Sequence, residues 1–540
     1  MSARATWASL SGCRGALALL VLLYGISAMR QVELPGLYMD AINPDFLVAQ
    51  TLDGRIHNPV WRMPGPPTPI LGGIYYGAQT YYLGLGVFSV LGESVVSARI
   101  AHALIGLSIV LLLYLLVRRA TSSPALALFA GAGLATDIAF VASFRSQNYI
   151  VLGGETWLLA SLLLLLDGAG GRRGRWTLLA SGVCMGLAAY GYFVHLFFAP
   201  VLLALALFWR ESDSLRTRMA LWGGGFIIGM LPYVLGYGLA LIATGGPGPF
   251  MAWLRGTLVQ LHPLGDSAGY FEGLAVSLHN ARLALQGSGN DLMLLGESLV
   301  PDGVHAWPVV IVLASLVCIV GLARKWRDGL HGQQGYKWLA LLPVCYLLVA
   351  GIFGARLWVH HFSVLVALAY LTLALAVHQL LGSAPGNETH KRRLASGAVV
   401  VVLGILVLSA NVVQQNRFFA RLEQTGGVGM ATSASAALAE SALAERDRAV
   451  YLFPEWGFFM PFAFLTGNRV HYELAASERV LAAHRGLRDE VRLAFWNGKD
   501  ADRYRRTLSQ LGAQDLKLYT FTRRDGKPAF FLWGGRLARR

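Results

Sequence analysis

Long apolar runs recur along this chain and leave few folds open to it. They lie near residues 15–29, 95–117, 124–143, 149–166, 176–190, 193–209, 219–242, 306–323, 338–353, 360–381 and 395–412. A bilayer core about 30 Å thick needs roughly 20 helical residues to cross it, and only structures that satisfy their own backbone are stable inside. The runs therefore predict an all-α polytopic membrane protein with about 11 transmembrane helices, the 176–209 stretch supplying two short ones. A chain that is 55% hydrophobic and 14% charged has to turn apolar surface toward lipid. Arg4 and Arg14 precede the first run and no small-residue cleavage site follows it, so it reads as an uncleaved first helix.

The basic residues orient the bundle. If the runs alternate across the bilayer, fifteen of the lysines and arginines between them fall on one side, in clusters such as Arg172-Arg173, Arg324-Lys325 and Lys391-Arg392-Arg393. The turns on the other side carry Arg145, Arg255, Arg282 and Arg356. The positive-inside rule makes the first side cytoplasmic. The net charge of +15 is then a signature of insertion, and nucleic acid is not an expected partner. Residues 30–94 become a first external loop and 243–305 a second. Within the first, 70–91 is long enough to span, but its glycines and tyrosines suit an interfacial or re-entrant helix. If it crossed, Asp40 would move to the cytoplasm and Arg4 with Arg14 to the outside, which the same rule disfavours. The middle of that loop has five prolines between Pro59 and Pro69 and cannot be a continuous helix.

Residues 1–412 thus form a transmembrane domain. Residues 413–540 carry 20 basic and 13 acidic residues, with short strand-like runs between helical ones, and read as an extracytoplasmic α/β domain. The stretch 432–457 predicts helix, turn and buried strand; 515–521 and 528–533 predict a hairpin across Arg524-Asp525-Gly526-Lys527. Cys13, Cys184, Cys318 and Cys345 lie within or beside apolar runs, as small hydrophobes with no metal-binding spacing.

Basic residues are scarce on the external side, which makes them informative, and the first external loop carries two candidate acids. Asp40 and Asp45 follow the first helix in 39-MDAINPDF-46. A carboxylate in a partly dehydrated loop suits a general base, because burial raises its pKa toward the working pH. Asp40 is the first choice and Asp45 the second; helix capping and plain solvation are the structural alternatives. Five residues apart, the two face different sides of a helix, about 140° from each other, unless Asn43-Pro44 makes a turn that brings them together. Asp137 and Glu155 lie inside predicted spans, where an acid costs about 2.5–3.5 kcal/mol at the helix centre and needs a partner or a watery cavity. Arg145 is a potential partner for Asp137. Arg145, Arg356, His360 and His361 could bind phosphate, with Arg356 as a membrane-interface anchor the alternative. Arg255 and His262 in the second loop are further candidates.

This arrangement resembles the GT-C glycosyltransferases, in particular the branch of protein O-mannosyltransferases and lipid A aminoarabinose transferases. The resemblance rests on the first-loop acids Asp40 and Asp45, on 92–119 with Arg99 near its outer end, and on 133–152 with the Ser143–Arg145 element. An acid commonly follows that arginine in the family; here Gln147 and Asn148 stand in its place. The resemblance implies transfer of a sugar from a polyprenyl-phosphate donor to an extracytoplasmic lipid, glycan or protein, at the external face of a bacterial inner membrane. It points to 354–362 as lining the donor pocket. A divalent cation, Mg or Mn, on Asp40 and Asp45 is the cofactor it allows. No nucleotide-binding glycine loop is visible. A polysaccharide ligase or polymerase, and a lipid or sugar transporter, are the competing classes; an internal repeat with paired broken helices, expected of a transporter, is not evident.

Overall fold

The computed structural model describes residues 13–54, 63–66, 68–166, 171–208, 214–261, 269–300, 310, 313–320, 335–381, 390–484 and 488–537. Among these, six helices are long and apolar enough to cross a membrane, and a seventh if one bent pair counts as a single span. The chain begins with α1 (Arg14–Met29) and a shorter helix, α2 (Met39–Leu52), then α3 (Gln79–Leu91) and α4 (Val95–Thr121). The 13 residues of α3 are too short to span. Helix α4 begins where Ser94 accepts the Ser97 N–H at 3.0 Å and ends on Arg118 and Arg119 before a left-handed Ser122. Pro124 in the first turn and Ser123 as its cap then start α5 (Pro124–Thr136).

Further helices are α6 (Asn148–Leu166), α7 (Gly171–Gly191), α8 (Leu215–Ala243), α9 (Tyr270–Leu285), α10 (Ser288–Leu295), α11 (Leu342–Phe353), α12 (Leu365–Leu381) and α13 (His390–Thr425). Helices α7 and α8 press backbone against backbone. A Cβ on Gly182 or Gly186 would lie within 2.3 Å of α8 carbonyls, and one on Gly225 or Gly229 within 2.2 Å of α7 carbonyls. Two glycines four residues apart on each helix make this approach, which suits lipid, where dispersion and not the hydrophobic effect holds helices together. The apolar windows of α8 and α13 are only 17% and 11% buried, so their outer faces meet lipid. The predicted run 306–323 lies largely outside the described residues.

Beyond α13 lies a sheet of five strands in the order β2-β1-β3-β5-β4. Strands β1 (Ala449–Leu452), β2 (Tyr472–Glu473) and β3 (Glu490–Phe495) run parallel; β5 (Pro528–Leu537) is antiparallel to both β3 and β4 (Ala513–Thr522). The expected hairpin is β4–β5, and the expected helix and buried strand are α14 (Ala434–Ala444) and β1. Helix α2 lies against this domain. Phe46 meets Phe459 edge-on at 6.0 Å, Asn468 Nδ2 donates to Asp53 at 3.1 Å, and a Cβ on Gly36 would run into the Thr432 carbonyl. The first-loop helix is thus held between the bundle and the sheet domain.

Candidate active site

Two buried arginines set the path of the chain into α2. Arg145 ends the bent span that α5 begins. Its Nη1 donates to the carbonyls of Gln31 (2.9 Å) and Leu34 (2.6 Å), its Nη2 to those of Ala28 (3.0 Å) and Arg30. The guanidinium also lies 4.8 Å over the Phe419 ring. The Ala28 and Arg30 carbonyls are at the C-terminus of α1, where acceptors lack intrahelical donors and a cation is favoured. Arg145 is 2% exposed and its fork is committed to backbone. The side chain expected to hold phosphate here ties α1 to the first loop. Arg99, 4% exposed, donates from Nη2 to the Pro35 carbonyl at 3.1 Å, and its buried Nε has no partner among the described residues. Its charge acts on Asp45 and Tyr149.

Helix α2 runs unbroken through Pro44, so no turn unites the two acids. Asp40 stands in the first turn, near the positive end of the helix dipole. Tyr38 Oη donates to Asp40 Oδ2 at 2.7 Å, and Oδ1 receives no bond among the described residues. Burial pushes the Asp40 carboxyl above the ordinary carboxylate range, and the Tyr38 bond opposes that shift. Pro44 cannot donate to the Asp40 carbonyl one turn back. Asp45 points elsewhere. It is 1% exposed, its Oδ2 lies 2.8 Å from His102 Nε2, and Tyr149 Oη lies 3.4 Å away while donating to the Ala41 carbonyl at 2.8 Å. The His102 ring stacks on Tyr149 at 3.6 Å. His102 Nδ1 is 3.3 Å from the Phe144 carbonyl, which can only accept. Nδ1 therefore carries hydrogen, and the Asp45–His102 contact must hold a further proton between its two atoms. Asp45 is thus a partner for His102 through Oδ2, while Asp40 is held by Tyr38.

A row of aromatic and imidazole groups leads away from Asp40. Asn43 Nδ2 donates to Tyr76 Oη at 2.9 Å, and the Tyr76 ring lies parallel to Tyr192 at 5.9 Å. The Asp40 charge acts on both tyrosines. Tyr192 Oη is 3.2 Å from His361 Nε2, and His361 packs 4.0 Å from His360. Gln147 Nε2 lies 2.9 Å from His360 Nδ1, which as the acceptor leaves the hydrogen of a neutral His360 on Nε2. Gln147 occupies the position where an acid was expected, and an amide can donate to His360 where a carboxylate cannot. Phe193 packs 6.1 Å from His361, and Phe193, Phe197 and Phe353 cluster with ring centroids 5.1–6.2 Å apart.

The remaining candidates lie apart from this row. Asp137 caps the short helix Ile138–Val141, accepting the Ala139 N–H at 2.8 Å, and takes the Tyr370 hydroxyl at 2.8 Å. The span bends by 55° at this residue. Asp137, expected to take a catalytic part, here caps the second half of an interrupted helix. Glu155 is fully buried in α6 with neither oxygen bonded among the described residues, beside the Gly154 contact with His195. Arg356 is exposed in the turn Gly354–Arg356, directly before the histidines. Arg255 is exposed on the helix Pro247–Leu261, and nothing joins it to the row; His262 is outside the described residues. The second loop is largely helical, and Asn290 of α10 donates to the Ala139 carbonyl at 2.9 Å.

His102, Tyr149 and Tyr192 are not among the sequence candidates, and Tyr76 reads there only as part of an interfacial or re-entrant helix. Arg99 and His102 stand three residues apart, on one face of an otherwise apolar helix, and that spacing was the available signal.

Comparison with known proteins follows this geometry. Among solved structures, ArnT from Cupriavidus metallidurans bound to undecaprenyl phosphate matches with a TM-score of 0.59 at 12% identity, covering 98% of each chain. The chain has the fold of the GT-C glycosyltransferases. The same ArnT in its apo state gives 0.56 at 12% identity, over 99% of this chain and 98% of that one. An Archaeoglobus fulgidus oligosaccharyltransferase in complex with Zn and sulfate gives 0.52 at 13%, over 88% of this chain and 67% of its own. Residues 80–235 match the family described as dolichyl-phosphate-mannose-protein mannosyltransferase. In this GT-C fold the matched segment runs from α3 to α8 and includes Arg99, His102, Gln147, Tyr149 and Tyr192. No curated protein matches the chain by sequence.

Proposed function

We propose that this multi-pass membrane protein transfers a sugar from a polyprenyl-phosphate donor to an acceptor hydroxyl on the periplasmic face of a bacterial inner membrane. The observation that carries the reading is the open Oδ1 of Asp40, in a carboxyl whose pKa burial has raised and which stands at one end of the Tyr76–Tyr192–His361–His360 row. Asp40 takes the proton of the acceptor hydroxyl. The freed oxygen bonds to the anomeric carbon as the bond from that carbon to the phosphate oxygen breaks, and polyprenyl phosphate leaves with the electron pair. A single displacement inverts the anomeric centre.

At the other end of the row, His360 Nε2–H and the exposed Arg356 supply donors for the phosphate. The phenylalanines beside His361 suit an isoprenoid chain entering from the bilayer. Asp45 and His102 hold Tyr149, whose bond to the Ala41 carbonyl fixes the first turn of α2. The acceptor is a lipid, a glycan or a protein, and the sheet domain against α2, with its surplus of basic residues, faces it.

The test is purified Asp40→Asn protein, shown to be folded, assayed beside wild type with a panel of polyprenyl-phosphate sugars. Loss of a general base costs about 10²–10⁴ in rate. Full activity in the variant overturns the assignment.

A further inference from the structure

Far from this row, the sheet domain assembles a second group of donors. His471 and Glu473 flank Tyr472 at the two-residue edge strand β2, and alternate positions on a strand share one face. His484 ends the helix α15 (Glu478–His484), which Leu481 anchors in the core of the sheet domain. Both imidazoles turn Nε2 toward the same atom: His471 Nε2 and His484 Nε2 each lie 3.2 Å from Glu473 Oε1, and the rings are 4.5 Å apart. The three donor atoms lie within 4.8 Å of one another, and no other group of three or more His, Cys, Asp or Glu among the described residues does so.

We propose that His471, Glu473 and His484 form a binding site for a zinc-class divalent cation. Tetrahedral zinc with bonds of about 2.0–2.2 Å sets its ligand atoms about 3.3–3.6 Å apart, slightly wider than the 3.2 Å found here from carboxylate to imidazole. Two neutral imidazoles and one carboxylate are a donor set zinc accepts, with the fourth position left to water. The side chains are 43%, 35% and 12% exposed in chain order, so the site opens to solvent and the ion can enter. Arg488 also acts on His471, but its Nη1 donates to the Arg446 carbonyl.

The ion links two elements that the sheet holds on one side only. Strand β2 pairs with β1 alone, through Tyr451–Tyr472 and Leu452–Glu473. Tyr472, between the ligands, points to the opposite face and stacks on Phe459 at 6.1 Å; Phe459 in turn meets Phe46 of α2. A cation here staples the sheet edge to α15 and steadies the surface against which α2 rests, without touching the reacting groups.

The experiment uses the full-length protein in detergent, stripped with chelator and titrated with Zn²⁺ and Co²⁺. One equivalent is expected to bind, with a visible Co²⁺ band of low-coordinate type that Zn²⁺ displaces, and the thermal midpoint should rise on loading. His471→Ala, His484→Ala and the conservative Glu473→Gln should each weaken binding at least about tenfold, no less than loss of a supporting group costs a metal site. Asp40→Asn should bind as wild type, which separates this site from the catalytic acids and from the proposed reaction. Absence of binding to the stripped wild type, or unchanged affinity in His484→Ala and Glu473→Gln, overturns the proposal.

Discussion

Replacing Arg145 tests whether its guanidinium serves the fold or a phosphate. In Arg145→Ala four carbonyls lose the guanidinium, and Gln31 keeps the Leu34 N–H. Arg30 and Gln31 are partly exposed, and water can replace the guanidinium there. Ala28 and Leu34 are 9% and 5% exposed, and their carbonyls have no such substitute. A buried acceptor left unpaired costs about 1–3 kcal/mol, so the two together cost about 2–6 kcal/mol, before the Phe419 contact is counted. That is at or beyond the upper end for single substitutions. Arg145→Lys should recover little of it, because one ammonium with three donors cannot reach four carbonyls around a planar fork. The assay is thermal unfolding in detergent followed by the aromatic signal, with donor KM measured on the folded fraction. Both variants should lower the midpoint with little change in donor KM. A wild-type midpoint in Arg145→Ala, together with a raised donor KM that Arg145→Lys restores, would refute the reasoning and return Arg145 to the phosphate.

Three other outcomes follow from the geometry. Because the Asp40 pKa is raised and the base must be ionised, kcat/KM should fall as pH drops through a value above the ordinary carboxylate pKa near 4; a limb at or below about 4 would deny the shift. The same raised pKa means that the folded state favours the protonated acid, so Asp40→Asn should not lower the thermal midpoint. Asp137→Ala should lose the cap of the interrupted span, worth about 0.5–2 kcal/mol, while activity per folded molecule stays near wild type; loss of turnover at an unchanged midpoint would restore its catalytic role. Asp45→Ala leaves His102 buried without its partner and should destabilise by about 3–5 kcal/mol if the contact is an ion pair, and Asp45→Ala with His102→Phe should be milder than Asp45→Ala alone in the same unfolding assay.

Membrane residence was legible in the sequence because lipid imposes a one-dimensional rule: enough consecutive apolar residues to cross, with basic residues retained on one side. The β4–β5 hairpin was legible for a similar local reason, as alternating strands meet across a turn that the chain itself specifies. Asp40 stood out as a carboxylate in the first loop, next to the membrane, where partial dehydration suits a base.

What Arg145, Asp137 and Asp45 do was not legible, since a charged side chain looks the same in sequence whether it faces substrate or backbone. Their partners come from 111 residues away for Leu34, 233 for Tyr370 and 57 for His102, separations that only packing closes. His471, Glu473 and His484 likewise have no recognisable spacing; a strand edge and a helix end bring them together. The sequence determined by itself that this chain lives in a bilayer with an acidic segment following its first helix. Tertiary structure decided which acid keeps an open oxygen, because burial and hydrogen bonding are properties of neighbours, and the neighbours are chosen by the fold.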